Sequence, residues 1–176
     1  GLILCNLALR KSVFESERGF AVQLISNEEN VLLQRLAVKG ALLWSSPELA
    51  VFHRRRDSWS GLCVQAAKYG AGRAQNLLLV PESRRALYFL PLALLLYVVS
   101  APFFALSVGS LAFLPLAVYL LLSLAFSAWA AALGRDPALL LGFLIYPCVH
   151  LSYGLGFLKA LIVWASQRDK LQEQAG

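Results

Sequence analysis

Residues 86–106 read Ala-Leu-Tyr-Phe-Leu-Pro-Leu-Ala-Leu-Leu-Leu-Tyr-Val-Val-Ser-Ala-Pro-Phe-Phe-Ala-Leu, 21 positions without a charge. Residues 111–133 continue in the same way over 23 charge-free positions, and residues 138–165 form a third apolar stretch. A helix rises about 1.5 Å per residue, so about 20 apolar residues cross the ~30 Å hydrocarbon core of a bilayer. The three stretches predict an all-α transmembrane region over residues 86–166. Ser107-Val108-Gly109-Ser110 and Gly134-Arg135-Asp136-Pro137 are its connections. The third stretch has an unusual centre: Pro147, His150, Gly154 and Gly156 fall at bilayer depth. It either crosses as one span or breaks there into a hairpin. His150 is a functional candidate because ionisable groups inside membranes are costly. Satisfied packing beside Ser152 and Tyr153 is the alternative.

Charge is distributed unevenly. Residues 1–85 hold 12 of the 16 Lys and Arg and 7 of the 10 Asp and Glu. Residues 86–166 hold only Arg135, Asp136 and Lys159. The boundary between a water-facing part and a bilayer part therefore falls near Arg84-Arg85. The net charge of +6 gathers on the polar side of that boundary, where it suits anionic lipid. Nucleic acid is not expected as a partner. Arg84-Arg85 before the first span and Arg135 after the second give an in–out–in path by the positive-inside rule. Cys5, Cys63 and Cys148 have neither metal-ligand spacing nor an even count, which argues against a zinc site and a disulfide framework. The chain starts at Gly1 inside an apolar run and contains no Met, so it is expected to be a piece of a longer protein.

The first half has a mixed pattern. Gly1–Cys5 reads as a buried strand, and Gly19-Phe20 as a turn. Ser26-Asn27-Glu28-Glu29 fits a capping box, followed by apolar Val31, Leu32, Leu36 and Val38 and a closing Gly40. Ala41–Trp44 and Leu49–Phe52 read as short strands around the turn Ser45–Glu48. His53-Arg54-Arg55-Arg56-Asp57 is a charged knot. Residues 58–75 read as a helix whose aromatic and basic positions suit the membrane interface. The expected organisation is an α/β unit over 1–57, an interfacial helix and linker over 58–85, spans at 86–106, 111–133 and 138–165, and a polar tail over 167–176.

Four stretches, in order, carry a resemblance. Cys5-Asn6-Leu7-Ala8-Leu9-Arg10-Lys11-Ser12-Val13-Phe14 leads to an acidic segment, Asn27-Glu28-Glu29-Asn30-Val31-Leu32-Leu33-Gln34-Arg35. Next comes Trp44-Ser-Ser-Pro47-Glu-Leu-Ala-Val-Phe-His53-Arg-Arg, then Gln65-Ala-Ala-Lys68-Tyr69-Gly70-Ala-Gly72-Arg73. Together with the apolar segments after them, they resemble the C-terminal part of family 2 glycosyltransferases, close in kind to the succinoglycan-type members that assemble polysaccharides at membranes. The resemblance implies the second half of a GT-A domain, hence an α/β remnant ahead of the transmembrane region. It also implies inverting transfer of a sugar from a nucleotide-sugar donor to a lipid-linked or polysaccharide acceptor. The setting implied is the cytoplasmic face of a bacterial inner membrane, in exopolysaccharide or cell-envelope biosynthesis.

Site residues follow from the same resemblance. Glu29 stands where the family has its catalytic base, with Glu28 as its neighbour; a Glu there replaces the family's usual Asp. Inverting transfer needs a carboxylate that takes the acceptor hydroxyl's proton during attack. The first turn of a helix favours that ionised form. Read locally, Glu29 is equally the return arm of the capping box. Gln65, Lys68, Tyr69 and Arg73 would line the acceptor side. His53 would complete a site for a divalent metal, Mg or Mn, held mostly by residues before Gly1. The 176 residues alone are therefore expected not to turn over sugar nucleotide. Two other functions fit the composition: a non-enzymatic membrane scaffold with a basic head, and a transport element built around Pro147 and His150.

Overall fold

A computed structural model describes residues 6–20, 28–51, 58–79 and 84–165. Six helices follow in order: α1 (Lys11–Ser16), α2 (Glu28–Val38), α3 (Trp59–Leu79), α4 (Leu90–Val108), α5 (Leu114–Gly134) and α6 (Gly142–Ala165). Short 3-10 turns at Pro47–Leu49, Ala86–Phe89, Gly109–Phe113 and Pro137–Leu141 join them. Among the described residues there is no strand, and the fold is all-helical.

The expected α/β remnant is therefore corrected. Residues 41–46 run without regular structure, and Leu49, the first residue of the second expected strand, closes a 3-10 turn. The physical cause is the lack of a partner. A strand is stable only when a neighbour takes its N–H and C=O groups, and no described segment pairs with 41–51. The expected strand Gly1–Cys5, the cap residues Ser26 and Asn27, the stretch Phe52–Asp57 and the tail 167–176 lie outside the described residues.

The helical segments start and stop for local reasons. Gly40 ends α2 at φ +80°. Its N–H meets the Ala37 carbonyl at 3.0 Å, and the Ala41 N–H meets Leu36 at 2.9 Å. That pair of bonds is the Schellman arrangement, which needs a residue tolerant of left-handed φ at the Gly40 position. Ser58 caps α3, its hydroxyl accepting from the Gly61 N–H at 3.2 Å. Arg84 donates to the Leu77 carbonyl at 3.3 Å, satisfying one of the last carbonyls of α3 where a cation is favoured. The pentapeptide Phe-Leu-Pro-Leu-Ala occurs at 89–93 and again at 113–117, opening α4 and α5. Each time the Pro sits in the first helical turn, where its missing N–H costs nothing.

Two helical stretches, Ala86–Gly134 and Pro137–Trp164, are long and apolar enough to cross a membrane, with mean hydropathies of 2.2 and 1.6. The first is divided at Gly109, φ +63°, into α4 and α5. Only 11% of the most apolar window in each stretch is buried inside the protein, which distinguishes both from the core helices of a water-soluble domain. α6 is unbroken through Pro147 and both central glycines. Its 24 residues reach about 36 Å at 1.5 Å per residue, enough for one full crossing. The hairpin alternative is not what the chain forms.

α6 is the centre of the bundle and packs against α3, α4 and α5. Small residues allow the approach. A Cβ on Gly70 would overlap the Tyr153 carbonyl oxygen, and one on Gly156 would overlap that of Ala67. A Cβ on Gly154 would press on the Pro91 carbonyl and Leu95 of α4. Ala71, Ala74 and Leu77 of α3 close around Phe157 and Ala160 of α6 as the main buried cluster. In a bilayer, where burial from water does not drive helices together, such close backbone approach is the main source of association. α5 runs antiparallel to α6, with Tyr119 beside His150, Phe126 beside Tyr146 and Ser127 beside Gly142.

Candidate functional site

Glu28 and Glu29 form the first turn of α2 and are half-buried. The Glu29 carboxylate accepts from the Asn30 side-chain amide at 3.3 Å. Val31, Leu32, Leu33 and Leu36 form the buried face of the helix. Two cations then tie α2 to the segment after α1. Arg35 donates to the Glu17 carbonyl at 3.3 Å, and Lys39 meets the Glu17 carboxylate at 2.7 Å. Glu17 is buried, so its charge requires that partner. Sequence reasoning passed over this pair; Glu17 follows the short helix α1, which has no buried residue, and nothing in its spacing marks it as buried. Arg35, which stands in the acidic segment's pattern, is thus a clamp between two head segments.

The second candidate group lies on α3 and divides between two faces. Lys68 and Tyr69 are exposed, and the Tyr69 hydroxyl accepts from the Gln65 amide at 2.8 Å. Gly70 and Arg73 serve the bundle instead. Gly70 is the contact with α6 already described. The Arg73 guanidinium lies over the Tyr88 ring, 4.3 Å from its centroid, and beside the Tyr153 hydroxyl. A planar cation stacked on an aromatic face is a recurrent stabilising pair. Gln65, Lys68 and Tyr69 thus share a region that packing with α6 leaves open, and Arg73 does not belong to it.

α2 packs against α3, so the helices carrying the acidic pair and the Gln65–Tyr69 pair are neighbours. His53 lies outside the described residues. Among the described residues no group of three His, Cys, Asp or Glu side chains can hold a metal ion. An open groove of about 500 Å³ does exist in the head, lined by Asn6, Leu9, Leu33, Leu42, Trp44 and Leu49 among others. It contains neither the acidic pair nor the α3 group.

In the membrane half, His150 Nδ1 and the Tyr119 hydroxyl are 2.7 Å apart. Ser123 and Ser127, one and two turns after Tyr119, are buried, and the Ser127 hydroxyl donates to the Ser123 carbonyl at 2.7 Å. This polar seam joins α5 to α6, the use commonly made of hydroxyl and imidazole groups between membrane helices.

No protein-family model matches the chain, and neither a curated protein nor a solved structure does.

Proposed function

We propose that the chain provides the acceptor side and the membrane anchor of an inverting glycosyltransferase. The protein would move a sugar from a nucleotide-sugar donor to a lipid-linked or polysaccharide acceptor at the cytoplasmic face of a bacterial inner membrane. One observation carries the proposal: two sequence stretches far apart in the chain, Glu28–Arg35 and Gln65–Arg73, lie on neighbouring helices, and α3 packs directly on the membrane helix α6. The packing also accounts for part of each stretch. Arg35, Gly70 and Arg73 are used structurally.

In this proposal Glu29 takes the proton from the acceptor hydroxyl as its oxygen attacks the anomeric carbon. The nucleotide diphosphate leaves from the opposite face. Glu29 stands in the first turn of α2. Gln65 and Tyr69, already hydrogen-bonded to each other, present an amide and a hydroxyl to acceptor hydroxyls. Lys68 adds a charge suited to a phosphate.

A non-enzymatic scaffold with a basic head is the second reading, favoured by a head that contains no strand among the described residues. The two separate in one assay. The full gene product, in native membranes with lipid extract, is offered a panel of nucleotide sugars, as wild type and as Glu29→Gln. Transfer that falls about a hundredfold or more in the variant supports the base assignment. Transfer that survives makes Glu29 a helix-start residue. No transfer from any donor favours the scaffold.

A further inference from the structure

We infer that residues 41–51 form a loop that dips into the headgroup region of an anionic bilayer. Leu42 is 99% exposed, Trp44 83% and Leu49 64%, and Leu43 and Val51 are exposed as well. Five large apolar side chains within eleven positions, exposed together, are an unusual patch for a surface that meets only water. The exposure does not come from a detached loop. Ser46 accepts from the Glu48 N–H at 3.3 Å and caps the 3-10 turn Pro47–Leu49, and the Asn6 side-chain amide donates to the Leu49 carbonyl.

The choice of lipid over a protein partner rests on three features. Trp44 combines an apolar body with an N–H donor, the property that concentrates Trp at membrane interfaces. Charge is complementary to anionic lipid: Glu48 is the only acid between 41 and 51, and the sequence after the loop runs into Arg54-Arg55-Arg56. α2, which ends just before the loop, also packs on α3, and α3 on the apolar helix α6. Irregular backbone is tolerated at headgroup depth, where water still reaches it, though not in the hydrocarbon core. The inference does not rest on glycosyl transfer, and its failure would leave that proposal untouched.

The test uses the full chain in vesicles, with Cys5, Cys63 and Cys148 replaced by alanine. A single reporter cysteine is placed at Ser45→Cys or, as a water-facing control, at Ser16→Cys. Each carries an environment-sensitive fluorophore. In vesicles containing phosphatidylglycerol, the Ser45→Cys probe is expected to be quenched by a headgroup-level nitroxide lipid. Aqueous iodide should quench it about threefold less than the control, as for a side chain at the acyl boundary. The protection should weaken in phosphatidylcholine alone. Iodide quenching equal to the control would overturn the inference by placing the loop in water. Shielding from both quenchers would overturn it by placing protein over the loop. Equal protection in both lipids would overturn the requirement for anionic headgroups.

Discussion

The head, residues 6–51, and the bundle of α3 to α6 are built on different principles. In the bundle, backbones meet at glycine and alanine: Gly70 on Tyr153, Gly156 on Ala67, Gly154 on Pro91. In the head, short segments are pinned by single polar contacts, chiefly Glu17 with Lys39 and Arg35. Leu42 and Trp44 stay outside, whereas Phe157 and Ala160 are enclosed. The difference shows what each surrounding rewards. A bilayer leaves tight van der Waals contact as the main force between helices. The smaller head buries the apolar face of α2, Val31, Leu32, Leu33 and Leu36, and adds these polar ties between its segments.

That contrast predicts a graded set of effects. Gly156→Val should be the most damaging change, because the new side chain has no space against Ala67 without parting α3 from α6. A loss of about 3 kcal/mol or more is expected, read as thermal unfolding in detergent. Retained stability would mean that α3 is not held by this contact. Lys39→Ala should loosen the head alone by about 1–2 kcal/mol, since it leaves the buried Glu17 carboxylate without its cation. Limited proteolysis should cut near residues 17–20 sooner, with α4–α6 unchanged; equal protection would show that Glu17 does not depend on Lys39.

Asn76 offers a change of opposite sign. It is fully buried on α3, and neither its amide nitrogen nor its carbonyl oxygen has a hydrogen-bond partner among the described residues. Asn76→Leu, similar in volume, should stabilise the bundle by about 1 kcal/mol by removing two unsatisfied polar atoms. Destabilisation of that size would reveal a partner for the amide. The smallest effect is expected for Tyr119→Phe, which keeps the ring and deletes the bond to His150. Hydrogen bonds between membrane helices average about 0.6 kcal/mol, so the unfolding midpoint should shift only slightly. A large shift would point to a role for His150 beyond packing.

The membrane half was legible in the sequence because one property, freedom from charge over 20 or so residues, sets both length and surroundings. The breaks at Gly109 and Asp136 fall where the two polar connections were expected. Pro147 and Gly154 suggested a break in α6 that does not occur. In a packed bundle, proline is tolerated within a helix, and Gly154 and Gly156 serve contact, not flexibility.

The head was harder to read. Ala41–Trp44 and the start of Leu49–Phe52 have strand-like composition, but a strand depends on a neighbour that composition cannot supply. Gly40 and Ser58 were readable as helix stops and starts because their roles are local. For the candidate site, the residue types of Glu29, Gln65 and Tyr69 were visible in the sequence, and the packing of α2 on α3 was not. The stacking of Arg73 was hidden for the same reason: its partner Tyr88 is fifteen residues away and only the fold brings them together.

The most direct test compares Glu29→Gln with Glu28→Gln in the transfer assay, at matched amounts of folded protein in the membrane. The account predicts that Glu29→Gln loses about a hundredfold or more in rate, whereas Glu28→Gln stays within about tenfold of wild type, because only the base must accept a proton from the acceptor. Equal rates for both variants and the wild type would contradict it, and the acidic turn of α2 would then be only the way that helix begins.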